Sequence, residues 1–378
     1  MHGSTAFPVN FRFFKNNMQS IAALMPLVPG CGLVQKPADG IIIYSFATPQ
    51  ASSIFRETML SKADSIFIAG GPHPSARPEE TLSFFDYVVI GEGEETLPEL
   101  VDALRNGKDA SSVRGIALKK NGRVTFTGMR ENIALDDYPS FSPDIMHSSI
   151  EITRGCPFGC SYCQTPQLFG RRMRHRSIDA ISKYAKFLKD VRFTSPNAFA
   201  YGSDGLYPRI ERIEALLRAL SGQRIFFGTF PSEVRPEFIS DRLLELVSQH
   251  CANKTLNMGG QSGSQRILGM INRRHTVEDI ITGAEKCLEH DLTPVVDFIF
   301  GLPFEEEEDQ IATLRVIKWL TGKGARVHSH YFMPLPGTTL WNSEPAPVSG
   351  QVDRIMGELA LHGKVTGIWS HHKKSEGI

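Results

Sequence analysis

Short apolar runs alternate with amphipathic stretches along the first 135 residues of the chain. Such runs predict strands that are buried on both faces, whereas apolar positions at helical spacing predict the helices between them. The predicted strands cover residues 10–14, 40–46, 65–69 and 87–90, and the predicted helices cover 17–27, 55–62 and 95–105. Strands that alternate with helices form a parallel sheet, and ligands bind at the carboxyl ends of its strands.

Residues 70–74 predict a tight turn, and the polar residues 107–131, with Asn121-Gly122 at their centre, predict a hairpin linker. The alternation resumes at Ser149. Predicted strands cover 150–153, 191–194, 224–229, 255–258, 293–300 and 326–333, and predicted helices cover 178–189, 209–220, 242–248, 277–289 and 308–321. About six strand–helix units are too few for a closed eight-stranded barrel.

Charge and hydropathy narrow the classes of partner. The 41 Lys and Arg residues balance the 41 Asp and Glu residues, which argues against a nucleic-acid partner. The longest apolar run, at residues 41–47, is far shorter than the roughly 20 residues of a membrane-spanning helix. Residues 1–5 do not resemble a secretory signal. We therefore expect a cytoplasmic protein without a membrane partner.

Three of the six cysteines lie together, as Cys156, Cys160 and Cys163 in the segment Cys-Pro-Phe-Gly-Cys-Ser-Tyr-Cys. The others, Cys31, Cys251 and Cys287, are scattered and are interpreted as buried free thiols. A zinc site would need a fourth ligand nearby, and none is obvious. Three thiolates on one loop suit a [4Fe–4S] cluster with one open iron. An unrelated cysteine-rich loop is the alternative.

The Cys-x3-Cys-x2-Cys spacing, with Tyr162 before the third cysteine, resembles the radical S-adenosylmethionine (SAM) superfamily. The resemblance implies that the three cysteines bind three irons and that SAM chelates the fourth. It also implies an external electron donor. The strand–helix units then suit the partial (β/α)6 barrel of these enzymes. The SAM-binding residues that the resemblance implies are Tyr162, Thr194, Ser195, Pro196, Glu233, Gln261, Ser262, Arg273 and Leu302.

The segments Ser45–Gln50, Gly70–His73 and Asp86–Thr96 resemble the cobalamin-binding domain that precedes many radical SAM domains. The Asp-x-His-x-x-Gly motif that supplies a cobalt ligand in other cobalamin proteins is absent. Gly91 and Gly93 alone do not make a dinucleotide fingerprint, because the third glycine is missing. The residues implied for cobalamin are Asn16, Ser45, Thr48, Gln50, Gly70, Gly71, His73, Gly91, Glu92 and Gly93.

The expected fold class is therefore α/β. A Rossmann-like cobalamin-binding domain with linker covers residues 1–135, a partial radical SAM barrel covers 145–338, and a C-terminal extension covers 339–378. The extension is expected to end in a mobile tail at residues 371–374. The acidic run 305–309 is interpreted as a solvated helix start. His328, His330 and Tyr331 lie in the last predicted strand, where side chains alternate between two faces, and one of these faces is expected to point into the barrel.

The resemblance implies a methyltransferase that moves a methyl group through methylcobalamin to an unactivated carbon of a protein or peptide. One candidate target is the Cα of a glutamine in methyl-coenzyme M reductase. The alternatives are a radical SAM enzyme of another reaction, such as a methylthiotransferase, and a corrinoid or iron–sulfur sensor. A methylthiotransferase needs three N-terminal cysteines for a second cluster, and only Cys31 is present. A sensor usually carries an output module, and no segment for one is visible.

Overall fold

A computed structural model describes residues 7–370 of the chain. The chain divides into two compact units, one of residues 1–148 with 167–169 and one of residues 149–166 with 170–378. The expectations for residues 1–5 and for the tail at 371–374 lie outside the described residues.

The first unit is built on one seven-stranded sheet with the strand order β2-β1-β3-β4-β5-β6-β7. Strands β1 to β5 run parallel and the last two pairings are antiparallel. The strands are β1 Val9–Arg12, β2 Cys31–Val34, β3 Gly40–Ser45, β4 Ser65–Gly70, β5 Tyr87–Val89, β6 Ile116–Lys120 and β7 Arg123–Phe126. The helices are α1 Met18–Leu24, α2 Thr48–Leu60, α3 Pro72–Ala76, α4 Pro78–Thr81 and α5 Gly93–Arg105.

The parallel core of this unit confirms the predicted alternation, but several details differ from it. Helix α2 begins at Thr48, whereas the predicted helix began at residue 55. Strand β2 was missed because it is a half-exposed edge strand without an apolar run. Residues 70–74 do not only turn, since helix α3 begins at Pro72. The hairpin β6–β7 is not a linker, because β6 pairs with β5 and buries Ile116 and Ala117 in the sheet. Burial of these two side chains makes the hairpin part of the domain.

The second unit is an open barrel of parallel strands with one short antiparallel pair beside them. Its strands are β8 Ile150–Glu151, β9 Thr153–Arg154, β10 Arg174–His175, β11 Asp190–Thr194, β12 Arg224–Phe226, β13 Thr255–Gln261, β14 Thr293–Phe300, β15 Arg326–Tyr331 and β16 Val365–Gly367. Parallel sheets β12-β11-β8 and β13-β14-β15-β16 are joined by a bridge between Val234 and Met258. The helices are α6 Thr165–Phe169, α7 Ile178–Ala185, α8 Ile210–Ala219, α9 Asp241–His250, α10 Gln265–Met270, α11 Val277–Glu289, α12 Glu307–Lys323 and α13 Gly350–Leu361.

The C-terminal extension contributes to the barrel sheet. Strand β16 pairs in parallel with β15, with Val365 opposite Val327, and helix α13 precedes it. The extension therefore adds a seventh strand–helix unit to the six predicted. Within residues 7–370, no helix combines the length and the apolar character needed to cross a membrane.

Candidate active site

The cysteine loop leaves the short strand β9 through a turn that only glycine can form. Gly155 has a φ of +86°, and a Cβ there would lie 2.3 Å from the carbonyl oxygen of Arg172. The backbone N–H of Cys156 then donates to the carbonyl of Gly170 at 3.2 Å. Because a left-handed backbone costs a side-chain-bearing residue free energy, the turn fixes where the loop begins.

All three loop cysteines are free thiols. The N–H of Cys163 donates to the carbonyl of Cys160 at 3.1 Å. Burial raises the pKa of the Cys156 thiol, and the nearby charges of Cys163 and Cys160 raise it further. Among residues 7–370, no group of three or more His, Cys, Asp and Glu side chains could hold a single metal ion. Three cysteines on one loop, near enough for the charges of Cys160 and Cys163 to act on Cys156, fit the thiolate ligands of a [4Fe–4S] cluster.

Contacts from neighbouring segments hold this loop. The N–H of Ser161 donates to Ile271 O at 3.0 Å, and Asn272 Nδ2 donates to Gly159 O at 2.9 Å. The guanidinium carbon of Arg235 lies 3.6 Å from the centre of the Phe158 ring, which is a cation–π contact. Arg235 is buried and also donates to Glu237 Oε1 at 2.5 Å. Sequence reasoning missed Arg235, because its contact with Phe158 joins residues far apart in the chain.

A pocket of about 340 Å³ opens beside the loop. Seven of the predicted site residues line it: Tyr162, Cys163, Ser195, Pro196, Glu233, Gln261 and Arg273. Residues that were not predicted as ligands complete the wall: Thr165, Pro231, Val234, Arg235, Asp297, Ile299 and His330. Of the two strand histidines, His330 is thus the one that lines the pocket, and its ring packs edge-on against His328 at 4.7 Å.

Gly259 forms a point of convergence in this pocket. A Cβ at Gly259 would lie 2.5 Å from Gln261 Nε2, 2.6 Å from Arg273 Nη2 and 3.2 Å from Glu233 Oε2. Arg273 donates to Gly259 O at 2.8 Å and contacts Cys160 Sγ at 3.8 Å, while its buried Nε has no hydrogen-bond partner among the described residues. An unsatisfied guanidinium N–H beside a cysteine ligand fits a carboxylate such as that of SAM.

Asp297 is the main acidic group that the sequence interpretation overlooked. Burial, the charge of Glu233 and a hydrogen bond to Glu233 together raise its pKa to about 9. Asp297 is therefore protonated at neutral pH and donates to Glu233. The available signal was a lone carboxyl in the apolar strand β14, since an Asp is almost never fully buried without a partner.

Three predicted SAM-binding residues do not line the pocket. Thr194 Oγ1 pairs with Ser149 Oγ at 2.7 Å. Ser262 is fully buried, with its Oγ 3.2 Å from Thr313 Oγ1, and Leu302 is fully buried in the apolar core. Their assignment to SAM stays a prediction that these contacts do not support.

The acidic run 305–309 is not a fully solvated helix start, contrary to the expectation. Glu305 and Asp309 are both buried. Glu305 Oε2 accepts the N–H of Gly301 at 2.6 Å, and Asp309 Oδ1 accepts from Ser264 Oγ at 2.6 Å. Burial raises the pKa of Glu305 to about 7. The two carboxyls therefore anchor the turn after β14 and the start of α10.

In the first unit, the residues predicted for cobalamin gather at the carboxyl ends of β3, β4 and β5. Ser45 and Gly70 end adjacent strands in register. Gly71 has a φ of +98°, and a Cβ there would lie 2.9 Å from Phe46 O. Gly91 has a φ of +75° with no atom within 4 Å of its Cβ position. These side-chain-free strand ends fit a ligand that approaches the backbone closely, as a corrinoid would.

Other members of that predicted set have structural partners. Thr48 Oγ1 lies 3.2 Å from His73 Nδ1, and the buried His73 stacks on Phe46 at 5.9 Å. Gln50 Oε1 accepts the N–H of Ala47, which caps helix α2, and Glu92 Oε2 accepts the N–H of Ile133. Asn16 is exposed after β1, and Gly93 begins α5. His73 therefore packs in the core instead of presenting a free imidazole.

The two units of the chain match two different protein families. The family model of the radical SAM superfamily matches residues 150–317, and that of the B12 binding domain matches residues 34–101. A Pyrococcus horikoshii protein described as an uncharacterized methyltransferase is 28% identical over 74% of this chain and 63% of its own length. A tRNA-2-methylthio-N(6)-dimethylallyladenosine synthase of Hydrogenobaculum sp. is 30% identical over 75% of this chain and 63% of its own length. The chain thus spans somewhat less than two thirds of these curated relatives.

A solved structure shows the same fold. The radical SAM methyltransferase TsrM of Kitasatospora setae, with cobalamin and a [4Fe–4S] cluster bound, superposes with a TM-score of 0.66 at 15% identity. The match covers 88% of this chain and 76% of TsrM. The two family matches and the fold together imply a [4Fe–4S] cluster, SAM and cobalamin as the cofactors. Residues 150–317 thus match the radical SAM superfamily, and residues 34–101 ahead of them match the B12 binding domain.

Proposed function

We propose that the protein is a cobalamin-dependent radical SAM methyltransferase that methylates an unactivated carbon. The observation that carries the proposal is the convergence at Gly259, where Arg273 with its unpartnered Nε reaches both the pocket and a cysteine of the loop. The B12-binding domain in the same chain supports methyl transfer over other radical SAM reactions. When bound, the cluster and SAM supply one-electron chemistry and the methyl group, and the corrinoid carries that methyl group.

The chain's own residues position and shield the reactants. Cys156, Cys160 and Cys163 would hold the cluster, and Arg273 would bind the SAM carboxylate through its free Nε. Pro196, Pro231 and Ile299 give the pocket apolar walls that exclude water. Arg235 fixes the cysteine loop through Phe158. Each of these residues acts by placing groups within reaction distance.

Asp297 keeps its proton at neutral pH at the pocket wall, because its pKa is raised to about 9. With Asp297 donating, the remaining lone pairs of Glu233 accept hydrogen bonds from hydroxyl or amide groups in the pocket. The ribose hydroxyls of SAM are the donors that we propose for Glu233. Asp297 then acts on SAM through Glu233, as a positioning residue.

For the substrate, we propose a protein or peptide, with the Cα of a glutamine in methyl-coenzyme M reductase as the first target to test. Resemblance to cobalamin-binding radical SAM proteins of methanogens supports this choice. The structure of TsrM with a tryptophan substrate shows that this fold also serves small molecules. Mass spectrometry of a glutamine peptide and of free tryptophan, each incubated with deuteromethyl-SAM, separates the two substrate classes.

A second candidate is methylthio transfer, which the similarity to the Hydrogenobaculum synthase favours. It would require a second cluster, and Cys31 is the one cysteine of the first unit. Its thiol points to the carbonyl of Met25 at 3.6 Å. An iron content of ~4 per chain after anaerobic reconstitution fits one [4Fe–4S] cluster, whereas about twice that amount would favour methylthio transfer.

The decisive experiment compares three reconstituted proteins. We expect the wild type and Cys31→Ala to bind iron and cleave SAM, and Cys156→Ala to lose both. Cleavage of SAM by Cys156→Ala would refute the radical SAM site. Expression with cobalamin should give a protein with a corrinoid absorbance spectrum. Absence of corrinoid would remove the methyltransferase proposal and leave a radical SAM enzyme of another reaction.

A further inference from the structure

Arg192 on β11 holds its guanidinium over the Phe226 ring and reaches the backbone carbonyl of Phe230, with no ion-pair partner among the described residues. Val191 and Phe193 are fully buried on one face of β11, and Arg192 lies on the opposite, more exposed face. Arg192 is in register with Phe226 of β12. Its guanidinium carbon lies 4.1 Å from the centre of the Phe226 ring. We call Arg192, Phe226 and Phe230 the Arg192 platform.

The charges around the platform leave one positive charge without a partner. Arg224 also lies over the Phe226 ring, at 4.9 Å, but it forms an ion pair with Asp190 at 2.6 Å. Arg192 Nη1 donates to Thr229 Oγ1 at 3.2 Å and to Phe230 O at 3.4 Å. Its Nε and Nη2 make no hydrogen bond to any residue between 7 and 370, and no carboxylate there pairs with it. A planar fork of donors therefore remains available.

The platform adjoins the pocket along two neighbouring strands. After Thr194, at the end of β11, the chain continues into the pocket-lining Ser195 and Pro196. Phe230 immediately precedes the pocket-lining Pro231, and Ser195 bridges to Ser232. A strand rises about 3.3 Å per residue, so the Cα of Arg192 lies roughly 10 Å from that of Ser195. The long side chain shortens this gap, because it reaches the Phe230 carbonyl.

Phe230 has the exposure expected of a contact residue. Its side chain is 75% exposed although it stands next to the pocket wall. A guanidinium over one aromatic ring keeps its edge free for a bidentate carboxylate. The exposed side chain of Phe230, whose carbonyl the guanidinium reaches, can cover apolar atoms. The local charge of two arginines and one aspartate is balanced by a single monoanion.

We propose that the Arg192 platform is a substrate subsite that binds a carboxylate next to an apolar or aromatic group. The substrate of the proposed methyltransferase thereby carries a carboxylate, either on an acidic residue of a peptide near the methylated position or on a small acid. Only the identification of this ligand as the substrate rests on the proposed function, whereas the carboxylate-binding site itself does not. The carboxylate binds to Arg192, and the apolar group packs on Phe230.

Binding of 4-fluorophenylacetate to the full-length reconstituted protein, followed by fluorine NMR, tests the subsite. The neutral 4-fluorophenylacetamide is the matched ligand. We expect the wild type to bind 4-fluorophenylacetate at least tenfold more tightly than 4-fluorophenylacetamide. Arg192→Gln should abolish that preference, since a hydrogen bond between charged groups is the stronger kind. Arg218→Gln is the control variant, because Arg218 is exposed and paired with Glu214 at 2.6 Å.

Phe230→Ala is a second variant that keeps the chain folded, because the ring is mostly solvent-exposed. It should weaken both ligands several-fold while the acetate stays preferred. The proposal of this subsite would be overturned if the wild type bound 4-fluorophenylacetate and 4-fluorophenylacetamide equally. It would also be overturned if Arg192→Gln, with normal iron content, kept the wild-type preference for 4-fluorophenylacetate. Because neither readout requires SAM cleavage or methyl transfer, failure of the subsite is distinguishable from failure of the proposed function. A glutamate peptide and free phenylacetate as competitors then separate the two carboxylate sources.

Discussion

Replacing Asp297 by asparagine should flatten the dependence of stability on pH. Burial beside Glu233 raises the folded-state pKa of Asp297 to about 9, whereas an aspartate in an unfolded chain titrates near 4. Below pH 4 both states are protonated. Between these two values the folded state holds a proton that the unfolded state has released. The stability contribution is therefore present at low pH and is lost as the pH rises through the folded pKa.

The size of the effect follows from this proton difference. One proton held only by the folded state changes the free energy of unfolding by about −1.4 kcal/mol per pH unit. From pH 6 to pH 8 the wild type should lose about 3 kcal/mol relative to Asp297→Asn, because asparagine donates to Glu233 at every pH. For a unit of this size, that corresponds to a shift of roughly 6–10 °C in melting temperature.

Anaerobic differential scanning fluorimetry of the reconstituted protein at pH 6, 7 and 8 measures the shift. Asp204→Asn is the control, since Asp204 is exposed and accepts the N–H of Leu206 in a way that asparagine can reproduce. The melting temperature of Asp297→Asn minus that of the wild type should rise with pH. A difference that stays constant with pH would show that Asp297 is ionised in the folded protein. It would refute the conclusion that Asp297 is protonated at neutral pH.

Three further predictions concern backbone and buried charge. Gly155→Ala should lower the iron content of the reconstituted protein sharply, because the new Cβ overlaps Arg172 O. Gly222→Ala has a similar φ and no atom within 4 Å of its Cβ, so it should lower the free energy of unfolding by only about 1–2 kcal/mol and keep its iron. Equal iron content in both variants would contradict the role of the turn. Glu305 makes the folded protein less stable as the pH rises from about 4.5 to its folded pKa of about 7, and Glu305→Gln should remove this loss. Thermal melting measures it, and a melting temperature with the same pH dependence as the wild type would argue against a buried carboxylic acid. Gly71→Ala should lower the corrinoid absorbance of the purified protein, because its Cβ overlaps Phe46 O, while Gly107→Ala, with open space at its Cβ, should leave that absorbance intact.

Features defined by residues close together in the sequence were predicted, and features that depend on distant residues were not. The cysteine loop and Tyr162 lie within eight consecutive residues, so a linear pattern was enough to find them. Helix α11 and strand β14 were predicted with their observed bounds because each has strong apolar periodicity. The edge strand β2 was not predicted, and the hairpin β6–β7 was predicted only as a linker, since the pairing of both with β1 and β5 depends on residues distant in sequence.

Local sequence thus determined the alternation of strands and helices and the ligands of the cluster, because periodicity and motif spacing are short-range properties of a chain. Tertiary structure decided the rest. It joined Asp297 to Glu233, placed Arg235 over Phe158, placed Arg192 over Phe226 and buried Glu305. In each case the chemical state of a side chain is set by burial and by partners from other strands. Those neighbours exist only once the barrel has formed.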